Sequence, residues 1–339
     1  MRRALLPFAL LLAACQNAPI TVPDVDRPPV AAQAEPADWR ALLPGQLDAV
    51  RASVARYRDI EAAKRDGWKP FAGGADEPLM GQHWYSEDPA LDYVSGAPID
   101  LTRPNNLMYT EMDGRMVLTG AAFVVRLGPN DAVPAGFAGP QDRWHVHDFV
   151  DAINAATEER PFLRFLANGW LKDTYFRKSD DRARLAMVHV WTENDNPDGV
   201  FADYDRTLPY RKLGLGEAYW RGRTVEAAKG LVLATSNGCD NTMGGALWIA
   251  DASGRQTREL ERACADEAAR LRAVLDSRPS PDGLDRAARA AWTGYDREWT
   301  RVLTPEQRDR VAAMSEHGPG TGHGDHGDGH GGHSHGMDD

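Results

Sequence analysis

The chain has 339 residues, a formal net charge of −11 and 26% charged residues, with 42% hydrophobic residues to build a core. That acidic balance argues against electrostatic binding of DNA or RNA, so no nucleic-acid partner is expected. The length allows one large domain or one domain with an appendage, and only three cysteines exclude a dense disulfide scaffold.

At the N-terminus Arg2 and Arg3 precede an apolar run, Ala4 to Ala14, too short to span a bilayer as a permanent helix. The run ends in Leu12-Ala13-Ala14-Cys15, which resembles a bacterial lipobox. That resemblance implies a signal peptide over 1–14, lipidation of Cys15 and, because Gln16 rather than an aspartate follows, an anchor in the outer membrane facing the periplasm. An ordinary signal peptide with an incidental cysteine is the alternative. Residues 15–38 then read as the lipidated cysteine and a Pro- and Ala-rich disordered linker.

A core domain is expected over 39–253, α+β in class, with a mainly antiparallel β core preceded by one helix. Leu47, Val50, Val54, Tyr57 and Ile60 share one face of a helix from Pro44 to Asp66, which Gly67 ends. Short β-like runs follow. Asn106–Glu111 and Met116–Arg126 form a hairpin through Asp113-Gly114. Further strands are expected at Trp144–Phe149, Ala183–Thr192 and Gly245–Asp251, with helices at Asp148–Thr157 and Pro161–Leu166.

Residues 254–316 read as C-terminal helices packed on the core. Glu259–Leu275 and Leu284–Leu303 carry apolar residues at helical spacing. A third helix starts at Thr304-Pro305-Glu306-Gln307, where Thr304 can cap, Pro305 fits the first turn and Gln307 can return the capping-box bond. From 317 to 339 the composition collapses to Gly, His and Asp, the signature of a disordered tail.

Cys239 and Cys264 remain once Cys15 is assigned to lipid, and an even pair in an oxidising compartment reads as a disulfide; a thiolate metal site is the other reading.

The ten histidines divide into two groups. His83, His145, His147 and His189 lie in the body, each beside or near a tryptophan. On a strand, residues i and i+2 face one way, so His145 and His147 point together, and His189 shares a face with Met187 and Trp191. If these strands are neighbours, three or four imidazoles converge as they do around zinc, and a methionine nearby suits copper. Glu111 and Asp148 are the carboxylates best placed in sequence to orient the rings. The bland reading is four separately packed, hydrogen-bonded histidines. The other six, His317, His323, His326, His330, His333 and His335, form a loose chelator in the tail, or a solubilising segment. Asp195-Asn196-Pro197-Asp198-Gly199 is a turn by composition, and with the following run Val200-Phe201-Ala202-Asp203-Tyr204-Asp205 it has enough acidic oxygen to suggest calcium, but it reads as turn and loop packing because regular ligand spacing is missing. No nucleophile elbow, phosphate-cradling loop or zincin helix is present.

Tyr57-Arg58-Asp59, Met80-Gly81-Gln82-His83-Trp84, Leu107-Met108-Tyr109, His189-Val190-Trp191 and Asn196-Pro197-Asp198-Gly199-Val200-Phe201-Ala202 together resemble an uncharacterised bacterial family of secreted proteins and lipoproteins, over residues 50–205. That resemblance brings no activity with it. Leu303-Thr304-Pro305-Glu306-Gln307-Arg308 is similar to the Leu-Thr-x-x-Gln signature of helical periplasmic stress and metal-resistance proteins. The expected function is an envelope lipoprotein that binds zinc or copper through the core histidines, with the tail capturing ions. A metal-dependent envelope enzyme, or a structural or interaction lipoprotein without metal, are the rivals.

Overall fold

In the computed structural model, residues 38–71, 76–128, 130–139, 144–148 and 184–317 are described, with isolated positions at 157, 160, 162 and 165. The lipobox-like Leu12–Cys15, the helix expected at Pro161–Leu166 apart from Phe162 and Phe165, nearly all of the helix expected at Asp148–Thr157, and the tail histidines beyond His317 therefore lie outside the described residues.

Helix α1, Trp39–Val54, buries Leu43, Leu47, Val50 and Val54, a stripe at three-to-four spacing. It starts before Pro44 and stops short of the expected end. A 3-10 turn, Ala55–Arg58, carries the chain to α2, Ile60–Arg65. Asp59 makes that break by leaving the helix and capping α2, its Oδ1 accepting from the Glu61 backbone N–H at 3.0 Å. Gly67, at φ 84°, then ends the segment as its sequence position implies.

Seven strands follow: β1 Lys69–Pro70, β2 Gln82–Tyr85, β3 Tyr93–Val94, β4 Asn106–Met112, β5 Arg115–Leu127, β6 His145–Asp148 and β7 Arg184–Val190. They form one sheet in the order β1-β2-β4-β5-β7-β6, antiparallel throughout, with β3 added in parallel beside β5. Asp113 and Gly114 both have positive φ, 51° and 71°, as a two-residue hairpin between twisted strands requires. The α+β architecture is thus as expected. The short strands β1, β2 and β3 carry too few residues for a periodic pattern.

Helices make up the rest: α3 Leu208–Lys212, α4 Glu217–Trp220, α5 Val225–Ala234, α6 Gly238–Ile249, α7 Gly254–Asp276, α8 Pro281–Val302 and α9 Pro305–His317. The helical layer begins well before residue 254. The strand expected at Gly245–Asp251 is a correction, since Gly245–Ile249 is the end of α6. Met243, Ala246, Leu247, Ile249 and Ala250 are all buried, and a short apolar run buried on every side has no period to separate strand from helix. Thr304 and Gln307 exchange the two bonds of a capping box, as their spacing implies. The Cys239–Cys264 disulfide joins α6 to α7. Closing its loop, with a sequence separation of 25, stabilises the fold by about 3.5 kcal/mol on the chain-entropy model.

The sheet is buried on both faces. Leu107, Tyr109, Phe123, Val125, Ala186 and Val188 meet α1 on one side. Met108, Ala122, Val124, Leu185 and Met187 meet the C-terminal helices on the other. Among the described residues no helix is long and apolar enough to cross a membrane.

Candidate metal centre

Strand register determines which way each body histidine points. His83 stands opposite Met108, His189 opposite Ala122, His145 opposite Met187 and His147 opposite Leu185. Each partner belongs to the face that meets the C-terminal helices, so all four imidazoles project to that side. β2 and β7 are three strands apart in the sheet order, which on a flat sheet is about 14 Å. Yet His83 Nε2 and His189 Nε2 are 3.1 Å apart, so the sheet curls and the rings reach across β4 and β5. Two local features assist. The register shifts between Met108 and Tyr109, an irregularity of the kind that bends a strand. Gly120 and Ala122 keep the floor low, and a Cβ on Gly120 would stand 2.6 Å from the Val190 carbonyl oxygen.

The structure brings the four body histidines together. His145 and His189 have ring centroids 5.1 Å apart, His83 and His189 5.2 Å, and His145 and His147 4.7 Å. Relative exposure is 8% for His83, 9% for His145, 3% for His147 and 0% for His189. Burial pushes the His83 imidazole down to about 4, helped by the neighbouring His145. Burial also holds His147 and His189 well below the ordinary histidine range, with the surrounding imidazoles adding to the effect. These three rings are neutral at pH 7.

Two contacts come from one residue that the sequence did not single out. His189 Nδ1 lies 2.6 Å from the backbone carbonyl oxygen of Asp203, a distance that requires Nδ1 to carry the proton. His145 Nδ1 lies 3.2 Å from Asp203 Oδ1, within ion-pairing range but off the line of a hydrogen bond. Asp203 is delivered by the 195–205 segment. Asn196 Nδ2 donates to the Tyr204 carbonyl at 2.8 Å, Trp191 Nε1 to the Ala202 carbonyl at 2.7 Å, and the Asp205 N–H to the Leu79 carbonyl at 2.8 Å. Within the turn expected at Asp195–Gly199, the Gly199 N–H donates to the Asn196 carbonyl at 3.0 Å, with Gly199 at φ 108°.

The carboxylates first expected to orient the rings are placed otherwise. Glu111 pairs with Met116 near the hairpin, about 10 Å along β4 from Met108, and its N–H donates to Asp76. Asp148 ends β6, and its side chain lies outside the described residues. The signal that could have pointed to Asp203 was the acidic run after Gly199, read only as a loop. Met187 Sδ lies 3.2 Å from His189 Nε2.

Among the described residues no group of three or more His, Cys, Asp or Glu is disposed to hold a metal ion as the side chains stand. What is formed is one close pair, His83 and His189, with His145 and His147 a ring's width away. Two nitrogens sharing a tetrahedral ion at about 2.0–2.1 Å stand roughly 3.3 Å apart, which the pair nearly meets. A separate cleft of about 910 Å³ lies between α7 and α8, lined by residues such as Arg262, Glu267 and Arg297, and includes none of these histidines. Comparison with protein-family models, with curated proteins and with solved structures found no match, so the reading of this site rests on its geometry.

Proposed function

We propose that this chain is a cell-envelope lipoprotein that binds a transition metal, zinc or copper, in the imidazole cluster of its core. The observation that carries the reading is the His83–His189 pair: two buried ring nitrogens 3.1 Å apart, one of them with its proton committed elsewhere. Burying four imidazoles side by side forfeits hydration that a packed apolar core would not need. An ion shared by His83 and His189 would offset part of that cost by taking up the lone pairs of that pair.

Full burial of the cluster favours holding an ion over turning over a bulky substrate, so binding ranks above catalysis. The lipobox-like Leu12–Cys15 supports the envelope anchor, the disulfide suits an oxidising compartment, and the tail from His317 to His335 supports loose capture of ions.

The test uses the full chain with the six tail histidines changed to Asn, so that only core sites report. After loading with Zn(II) or Cu(I) and exhaustive dialysis, elemental analysis should find about one equivalent, and His83→Ala with His189→Ala should abolish it. Less than about a tenth of an equivalent, or an unchanged value in the double variant, overturns the proposal.

A further inference from the structure

The position of Met187 bears on which ion the cluster prefers. It sits on β7 two residues before His189, on the same face and only 8% exposed. Its sulfur is 3.2 Å from His189 Nε2, which is itself 3.1 Å from His83 Nε2. Because the Nδ1 proton of His189 is committed to the Asp203 carbonyl, Nε2 of the neutral ring presents a lone pair. A thioether has no proton to give. Two lone-pair donors, His189 Nε2 and Met187 Sδ, thus face each other at 3.2 Å. A single cation placed among the three atoms would satisfy all of them.

We infer that this cation is copper(I), held by Met187 Sδ together with the Nε2 atoms of His83 and His189; the inference rests on the metal-binding reading above. Ligand softness favours it. Thioethers select copper(I), whereas zinc takes thiolate, imidazole and carboxylate. Charge balance favours it as well. The three ligands are neutral, and the nearby carboxylate is that of Asp203, beside His145. A monovalent ion brings less charge into a buried site of neutral ligands than a divalent one, which lowers the cost of holding it there. The spacing also fits. Ligands at about 2.0 Å (nitrogen) and about 2.3 Å (sulfur) from one ion stand roughly 3.3–3.6 Å apart, a few tenths of an ångström beyond the two separations measured from His189 Nε2.

The test again uses the full chain with its tail histidines changed to Asn, under anaerobic conditions. Cu(I) affinity is measured by competition with bicinchoninate and Zn(II) affinity by competition with a chromophoric chelator, in the parent and in Met187→Leu, which keeps the volume of the core. Copper(I) affinity should fall at least about tenfold while zinc affinity changes by less than about threefold. X-ray absorption at the copper edge should show a copper–sulfur shell in the parent that Met187→Leu lacks. Absence of the sulfur shell in the parent overturns the inference even if the variant fails to fold. Equal losses for both ions overturn it too. If zinc binds at His83 and His189 and copper shows no sulfur, the metal-binding reading stands and only the copper assignment falls. If neither ion binds there, both fall.

Discussion

The Nδ1 atom of His189 lies 2.6 Å from the backbone carbonyl oxygen of Asp203, and this bond fixes the tautomer of the most deeply buried imidazole in the cluster. The same residue places its carboxylate 3.2 Å from His145 Nδ1. One loop residue thereby addresses two rings, through main chain and side chain, as outer partners of metal-bound histidines commonly do.

Asp203→Asn separates the two contacts, because it keeps the carbonyl for His189 and removes the charge beside His145. Metal affinity of the core site should fall about 10- to 100-fold, with little change in the stability of the metal-free protein. Competition titration of the tail-substituted chain, with thermal unfolding alongside, measures both. An unchanged affinity would show that the carboxylate does not support the site.

The sequence made the alternation at His145 and His147, the Asp113-Gly114 hairpin and the Thr304 cap legible, because each depends on residues within a few positions of one another. It did not reveal how β2 reaches β7. That approach depends on the sheet's curl and on the small floor at Gly120 and Ala122, which are long-range consequences of register. Asp203 was hidden for the same reason, since only the folded loop sets an acidic residue 14 positions after His189 back against its ring. The buried helix α6 passed for a strand because nothing on its surface alternates.

Gly81 couples backbone conformation to the site. It has φ 81°, and a Cβ there would overlap the Tyr109 carbonyl oxygen, so both the left-handed conformation and the close approach call for glycine. Gly81→Ala should cost at least about 2 kcal/mol in urea unfolding, and should weaken metal retention by shifting β2 and with it His83. A stable variant with full metal content would show that the His83 position tolerates displacement of its strand.

The buried histidines also predict how the metal-free protein responds to acid. In the unfolded chain each imidazole titrates near its ordinary value of about 6.5, whereas burial lowers His83 to about 4 in the fold. Between those values the unfolded state binds a proton that the folded state refuses, so stability falls as the pH falls, and the loss from this group is complete below about 4. For His83 alone the loss between pH 8 and pH 5 is about 2 kcal/mol, and His147 and His189 act in the same direction. Urea unfolding with a chelator present should show His83→Leu losing about 2 kcal/mol less than the parent across that interval. An identical pH dependence in the variant would mean that His83 is not held neutral by burial. Saturating metal should move the acid limb of the parent to lower pH, because protons and the ion compete for the same ring lone pairs. The His83→Leu, His189→Leu double variant should lose that metal-dependent shift, since its remaining rings lack the close pair that the ion would bridge.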